Sequence, residues 1–184
     1  MRLAIISNGP SARLFDEAER SDFDLVAGVN WTVKRWLCDW WVFCDYVTFQ
    51  DTVPLGKPAL FLKRAALRKI HTHSKPGTSQ RLLEHEVIVA HEDGADIPIE
   101  PNVGFWNNFS GPAALGLAIH LGADRVTVFG ADMSGDMDHA GRVGTSRTPD
   151  RWERERGIWA ASVAYLHQIG ISVQRIGEDG HAIN

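Results

Sequence analysis

The sequence has few cysteines and no long hydrophobic run. Cys38 and Cys44 are the two cysteines, and no second pair of cysteines or histidines stands at zinc-binding spacing, so neither a disulfide framework nor a zinc site is indicated. We expect both to be buried free thiols. No apolar stretch approaches the roughly 18 residues of a membrane span, and the N-terminal one is too short for a secretory signal. These absences predict a cytoplasmic protein without a membrane span.

The sequence also lacks internal repeats, low-complexity segments and a linker between domains. Of its 184 residues, 44% are hydrophobic and 23% are charged, which is typical of a globular protein, so residues 1–184 are expected to form one domain. The formal net charge of −4 argues against a protein that coats nucleic acid in general.

Short apolar runs rich in β-branched and aromatic residues recur between turn signals and predict β-strands. Most of these runs are apolar throughout, as in strands that are buried on both faces of a parallel sheet. The fold class expected is therefore α/β: a single Rossmann-like domain with a mostly parallel sheet and helices on both faces. The predicted strands are Arg2–Ser7, Asp24–Val29, Trp40–Cys44, Pro58–Leu62, Val87–Ala90, Arg125–Phe129 and Ser172–Ile176.

Two helices have clear start and stop signals. Ser110 is positioned to cap a helix rich in small residues, which ends before Gly122. Thr148 is positioned to cap a longer helix, Pro149–Gln168, in which Trp152 and Trp159 recur at helical spacing and indicate a core stripe rather than a ligand site.

Two stretches lack regular patterning, and both follow predicted strands. One is residues 92–108; the other, residues 133–147, is rich in glycine and charge and is interpreted as a mobile lid loop. Both would leave the sheet at its carboxyl edge, where open α/β sheets place their ligands.

The loop Asn8-Gly9-Pro10-Ser11 comes directly after the first predicted strand and before a helix-like stretch, residues 12–20. Gly9 would let a phosphate approach the backbone, Ser11 would cap the helix, and the amides of its first turn would favour an anion. The alternative is an ordinary strand-to-helix turn. The loop matches neither the GxGxxG fingerprint nor the P-loop, so neither NAD binding nor Walker-type ATP binding is indicated.

Four motifs follow one another along the chain: the Asn8–Ser11 loop, the segment 22–30 ending in Asn30, the helix start Phe109-Ser110-Gly111, and the segment 121–132 (LGADRVTVFGAD). Their order and spacing resemble those of the bacterial sialyltransferases of glycosyltransferase family forty-two. They are also similar to the motility-accessory-factor glycosyltransferases and the archaeal hydroxymethylpterin pyrophosphokinases. The resemblance extends from residue 3 to about residue 176.

The resemblance implies a nucleotide-binding site and a catalytic base. The implied nucleotide-binding residues are Asn8, Gly9, Ser11, Asn30, Ser110, Gly111 and Asp132. His139, within the expected lid, is the implied general base, because a neutral imidazole accepts a proton from a hydroxyl near pH 7. Structural roles remain open for these residues: a strand end, a helix cap, a turn brace and an exposed histidine.

The chain departs from the sialyltransferases at Asp45, which stands where they carry an asparagine. A carboxylate there would repel the carboxylate of sialic acid, which puts that donor in doubt. Asp45 and Asp132 are instead expected to hold a divalent metal, Mg²⁺, on a diphosphate. The expected cofactor is thus a nucleotide-sugar donor, CMP-linked or NDP-linked, with Mg²⁺ as an option.

The function expected is that of a glycosyltransferase-like enzyme, bacterial or phage in type, that transfers a sugar from a nucleotide-activated donor to a hydroxyl acceptor. The alternatives are a nucleotide-dependent pyrophosphokinase of a small hydroxymethyl compound and a non-catalytic nucleotide-binding protein. A glycan, a lipid-linked sugar and a modified DNA base are all open as acceptors, and so is a homo-oligomer.

Positive charge is concentrated between Lys63 and Arg81, where no acidic residue occurs. Arg64, Arg68 and Lys69 within this stretch are expected to bind a polyanionic acceptor. The alternative is a solvated helix face.

Overall fold

A computed structural model of the chain describes residues 1–15, 17–90, 109–135, 137–138, 140–141, 143, 148–177 and 182–183. The described part contains one eight-stranded sheet with the strand order β5-β4-β3-β2-β1-β6-β7-β8. All neighbouring pairs from β5 to β7 are parallel, and β8 pairs with β7 in the antiparallel direction. The strands are β1 Arg2–Ile6, β2 Leu25–Val29, β3 Trp40–Phe43, β4 Ala59–Lys63, β5 Val87–Ala90, β6 Arg125–Phe129, β7 Ser172–Ile176 and β8 Ala182–Ile183.

Both faces of the sheet are apolar. Successive side chains of a strand point to opposite sides of the sheet, and consecutive residues of most of these strands are apolar. In β1, Leu3 and Ile5 belong to one buried cluster and Ala4 and Ile6 to another. The first cluster includes residues of the two longest helices, and the second includes residues of the shorter helices and 3₁₀ turns on the opposite face. The predicted α/β fold with helices on both faces is confirmed.

The helices fill the connections between strands. The α-helices are α1 Tyr46–Asp51, α2 Arg64–His73, α3 Thr78–Arg81, α4 Ser110–Leu121 and α5 Pro149–Gln168, and the 3₁₀ turns are Pro10–Leu14, Glu17–Asp22, Asn30–Lys34 and Leu82–Glu84. None of the described helices is both long enough and apolar enough to cross a membrane.

Two of the predicted end signals act as expected and two do not. The Thr148 hydroxyl accepts a hydrogen bond from Arg151 N at the start of α5, and Gly122 ends α4 in the left-handed conformation with φ 67°. Ser110, however, is the first residue of α4 rather than its cap. The helix predicted after Ser11 is instead a pair of 3₁₀ turns, the first of which starts after Gly9 without a side-chain cap.

The strand order reverses direction beside β1. From β1 the chain adds β2 to β5 on one side, and it then returns to place β6 on the other side of β1. The connections leave β1 and β6 in opposite directions, so a crevice opens at the carboxyl ends of these two strands, which is where open α/β sheets bind ligands.

Candidate functional site

A cavity of about 410 Å³ lies at this reversal point, within the range of about 300–1,000 Å³ that is usual for small-molecule sites. It is lined by the loops that follow β1, β2, β3 and β6 and by the starts of α4 and α5. The lining includes Ser7, Asn8, Gly9, Asn30, Trp31, Asp45, Thr48, Phe109, Ser110, Gly111, Gly130, Met133, Ser134, Asp138, Val143, Arg151, Trp152, Glu155 and Trp159.

The loop after β1 uses its amides within the protein. Gly9 N donates to Gly130 O at 2.7 Å, Ser11 N donates to the Asp132 carboxylate at 2.8 Å, and Ala12 N donates to Gly9 O at 3.1 Å. Pro10 has no amide hydrogen to offer. The amides of Gly9 and Ser11 thus fasten the loop to the chain after β6, and that of Ala12 closes a turn within the loop. Phosphate binding by this loop stays a prediction.

Ser11 and Asp132 act together in this fastening. Ser11 is 2% exposed, and its hydroxyl accepts a hydrogen bond from Gly130 N at 2.9 Å. A Cβ on Gly9 would come within 2.2 Å of Asp132 Oδ2, so the carboxylate lies directly against the glycine. Neither Ser11 nor Asp132 is among the described residues that line the cavity, whereas Asn8 and Gly9 are. These contacts give both residues a positioning role.

The start of α4 offers amides to the cavity. The first main-chain bond of the helix runs from Ala113 N to Phe109 O, and no side chain caps the preceding turn. The amides of Ser110 and Gly111 thus lie at the open, electropositive end of a twelve-residue helix, and both residues line the cavity. The Ser110 hydroxyl accepts a hydrogen bond from Cys44 N at 3.2 Å. Anion binding at the start of α4 stays a prediction.

Two cavity residues have strained backbone conformations. Asn30 has φ 54° and Met133 has φ 49°, and they are the non-glycine residues with positive φ in the described part of the chain. Asparagine tolerates this region, but methionine rarely adopts it, and such conformations concentrate at binding sites. Trp41 Nε1 donates to Asn30 O at 2.8 Å and fixes the turn, after which Trp31 lies at the cavity.

Charged side chains line the cavity unequally. Asp45, Asp138 and Glu155 are acidic, and among the described lining residues Arg151 is the basic one. Arg151 Nε is 3.9 Å from Glu155 Oε2, and the guanidinium lies over the ring of Phe109 at 5.3 Å. Asp138 is 4% exposed, and its Oδ1 accepts a hydrogen bond from Ala140 N. Among the described lining residues, acidic side chains therefore outnumber basic ones.

The α5 helix forms one wall of the cavity and holds the chain after β6 against it. Trp152 Nε1 donates to Gly135 O at 2.9 Å, and the Arg156 guanidinium donates to Met133 O at 3.0 Å. Trp159 is 8% exposed and belongs to the core, yet it also lines the cavity. The tryptophans interpreted as a core stripe thus also form part of the cavity wall.

The expected lid is described only in part. Met133, Ser134, Asp138 and Val143 line the cavity, and Met137 and Val143 form an isolated antiparallel bridge. Asp136, His139, Arg142 and residues 144–147 lie outside the described residues, as do residues 91–108. The role of His139 as base and the mobility of the lid stay predictions.

Cys44 lies beside the start of α4, at the end of β3. Burial raises the pKa of its thiol, while a hydrogen bond with Ser110 and the nearby positive charge of Lys63 oppose that rise. The thiol is therefore held neutral near pH 7, as expected for a buried structural cysteine. Cys38 is also free and buried, so the prediction of two buried free thiols is confirmed.

The expected metal pair does not share the cavity. Asp45 lines it, but Asp132 accepts its hydrogen bond from Ser11 N and is not among the described lining residues. No group of three or more potential metal ligands occurs among the residues that the structure describes. The metal site at Asp45 and Asp132, and with it Mg²⁺, stays a prediction from sequence.

The basic stretch divides into structural and exposed residues. Lys63 is 4% exposed at the end of β4, and the Arg81 guanidinium donates to the carbonyls of Phe49 and Thr52. Arg68 and Lys69 are exposed on α2, and Arg64 is half-buried at its start. None of these three is among the described cavity residues, so acceptor binding by them stays a prediction.

No protein-family model, no curated protein and no solved structure matches the chain. The fold and site define an α/β protein with a parallel sheet and a ligand-sized crevice at the reversal point of its strand order.

Proposed function

We propose that this protein is a nucleotide-dependent transferase that uses a nucleotide-activated sugar as donor. The observation that carries the proposal is the cavity at the reversal point, into which the open start of α4 faces. Helix starts of this kind bind phosphate through their amides and the positive end of the helix dipole.

The walls of the cavity suit the rest of such a ligand. Trp31, Phe109 and Trp152 offer aromatic surface against which a base or a sugar ring can pack. Asn8 and Asn30 line the same space with carboxamides, which both donate and accept hydrogen bonds. A cavity with a few polar groups among aromatic side chains is the usual form of a small-molecule site.

In the proposed reaction, an acceptor hydroxyl attacks the anomeric carbon of the donor sugar and forms the new glycosidic bond. The bond between that carbon and the phosphate oxygen breaks, and the nucleotide leaves with its electron pair. The α4 amides stabilise the charge that develops on the leaving phosphate. The hydroxyl proton passes to a base, for which we propose His139; its neighbour Asp138 lines the cavity.

A nucleotide-dependent pyrophosphokinase of a small hydroxymethyl compound stays the alternative, because one or two carboxylates together with the phosphates of the substrate can hold the Mg²⁺ that this chemistry uses. A glycan, a lipid-linked sugar or a modified DNA base remains the proposed acceptor, and the proposed location is the cytoplasm.

The test is a thermal-denaturation panel with CMP, CDP, UDP, GDP and ATP, each with and without Mg²⁺. A ligand that binds only the folded chain at a hundred times its Kd should raise the Tm by about 5 °C. Gly111→Ala should abolish most of this shift, because its methyl group would stand beside Ser7, Glu155 and Trp159 in the cavity.

Gly157→Ala is the matched control, since it adds the same methyl group to α5 where a Cβ meets nothing within 4 Å. It should keep the full shift. No rise in Tm with any nucleotide, or an equal rise in both variants, would contradict the proposed site.

A further inference from the structure

We propose that the α5 wall of the cavity binds the sugar of the donor and selects an uncharged sugar over an acidic one. This inference rests on the proposed function and names the substrate class of the same site. It is carried by aromatic and acidic side chains that share one face of α5.

Trp152, Glu155 and Trp159 are three and four residues apart, so they project from the same side of the helix. All three line the cavity. The bond from Trp152 Nε1 to Gly135 O holds one indole in place, and burial to 8% exposure holds the other. An indole face packs against the C–H groups of a sugar ring, and a carboxylate between two indoles accepts hydrogen bonds from its hydroxyls.

Glu155 also lies close to Gly111, where the phosphate of the donor is proposed to bind. The position of a Cβ on Gly111 is 3.8 Å from Glu155 Oε1 and 3.8 Å from an atom of the Trp159 ring. Gly111 is one of the two residues whose amides are open at the start of α4. A phosphate at those amides therefore places the attached sugar against Glu155 and Trp159.

The two arginines of α5 that follow Arg151 are engaged elsewhere. Arg154 lies over the ring of Phe109 at 5.4 Å, and Arg156 donates to Met133 O. Neither is among the described cavity residues, and Arg151 stands against three lining carboxylates, those of Asp45, Asp138 and Glu155. A sugar that carries its own carboxylate would meet repulsion here, whereas sugar hydroxyls would meet acceptors.

The experiment compares donors that differ by one carboxylate. Calorimetry measures the Kd of UDP-glucose against UDP-glucuronic acid and of GDP-mannose against GDP-mannuronic acid, with UDP and GDP alone as references. We expect the acidic member of the pair to bind about tenfold more weakly. Glu155→Gln, which keeps the size of the side chain and removes its charge, should reduce this difference severalfold.

Glu153→Gln is the control, because Glu153 is exposed on the same helix and is not among the described cavity residues. It should leave the tenfold difference unchanged. Equal or tighter binding of the acidic sugars, or equal effects of the two variants, would overturn the inference while leaving nucleotide binding intact. Failure of UDP, GDP and every donor to bind would also overturn the inference, and it would overturn the proposed function as well if CMP, CDP and ATP leave the Tm unchanged.

Discussion

Two segments of this chain place a glycine before a proline at the same edge of the sheet, and they do different work. Gly9-Pro10 follows β1 and leads into a 3₁₀ turn of five residues, whereas Gly111-Pro112 lies in the first turn of α4. Both line the cavity through their glycine. In the first segment the amides of Gly9 and Ser11 bond to the chain after β6, whereas in the second the amides of Ser110 and Gly111 have no acceptor among the described residues.

The two segments differ in whether their amides are already hydrogen-bonded within the protein. A glycine before a proline is therefore not enough to make an anion site. Gly130 O and the Asp132 carboxylate reach the first segment and occupy its donors. At the second segment a serine hydroxyl binds the neighbouring strand end, and the helix amides are left to the cavity. The Gly9-Pro10 segment thus has a structural role, and the Gly111-Pro112 segment is the proposed binding element.

The largest difference between the two segments is expected when the glycine of each is replaced by alanine. Gly9→Ala would bring a Cβ within 2.2 Å of Asp132 Oδ2 and 2.7 Å of Gly130 O, so it should lower the free energy of unfolding by about 3 kcal/mol. Gly111→Ala meets only ordinary contacts at 3.5 Å and beyond, so in a helix it should raise stability by about 0.5–1 kcal/mol. Urea denaturation measures both, and similar losses in the two variants would erase the distinction.

Removing the hydroxyl of Ser11 also tests the structural role of the Gly9-Pro10 segment, with a smaller expected loss of stability. Ser11→Ala leaves the buried Gly130 N without its acceptor, which should cost about 1–3 kcal/mol of stability. Ser162→Ala is a matched control: Ser162 is 0% exposed, but its hydroxyl donates to Ile158 O within its own helix. That bond is worth little to a helix. Chemical denaturation should therefore show a larger loss of stability for Ser11→Ala than for Ser162→Ala. Equal losses would argue against a structural role for the hydrogen bond of Ser11.

The smallest effect concerns the pH dependence of stability beside α4. Because burial raises the pKa of the Cys44 thiol in the folded chain, its contribution is complete below the unfolded pKa of about 8.5. As the pH rises above that value, the unfolded chain loses the proton first, so the free energy of unfolding falls. Denaturation between pH 7.5 and 9.5 should show a steeper decline for the wild type than for Cys44→Ala. Parallel declines would contradict this reading.

Most of the sheet could be predicted from the sequence. The seven parallel strands lie within one residue of their predicted ends, because strands buried on both faces leave continuous apolar runs. The short helix α1 and the two-residue strand β8 were missed. Neither has a local pattern long enough to distinguish it, and β8 exists only through its pairing with β7.

The cavity residues that could be predicted are those that directly follow a parallel strand. Asn8, Asn30 and Asp45 each follow a parallel strand, and such strands end at one edge, so all three line the cavity. The amide bonding of Ser11 depends on residues 130–132, which are distant in sequence, and no local signal shows it. The lining role of Trp152, Glu155 and Trp159 had a visible signal in their spacing, but such a stripe more often marks a core.

The position of β1 between β2 and β6 sets an order for assembly during synthesis. Strands β1 to β5 can pair one after another as they emerge, but the pairing of residues 2–6 with residues 125–129 needs most of the chain. Contacts this distant in sequence form late, because a long loop must close first. A nascent chain without β6 would leave one edge of β1 with unpaired backbone N–H and C=O groups, which can pair with another chain and start aggregation. The crevice is therefore completed by the same event that protects the growing chain from self-association.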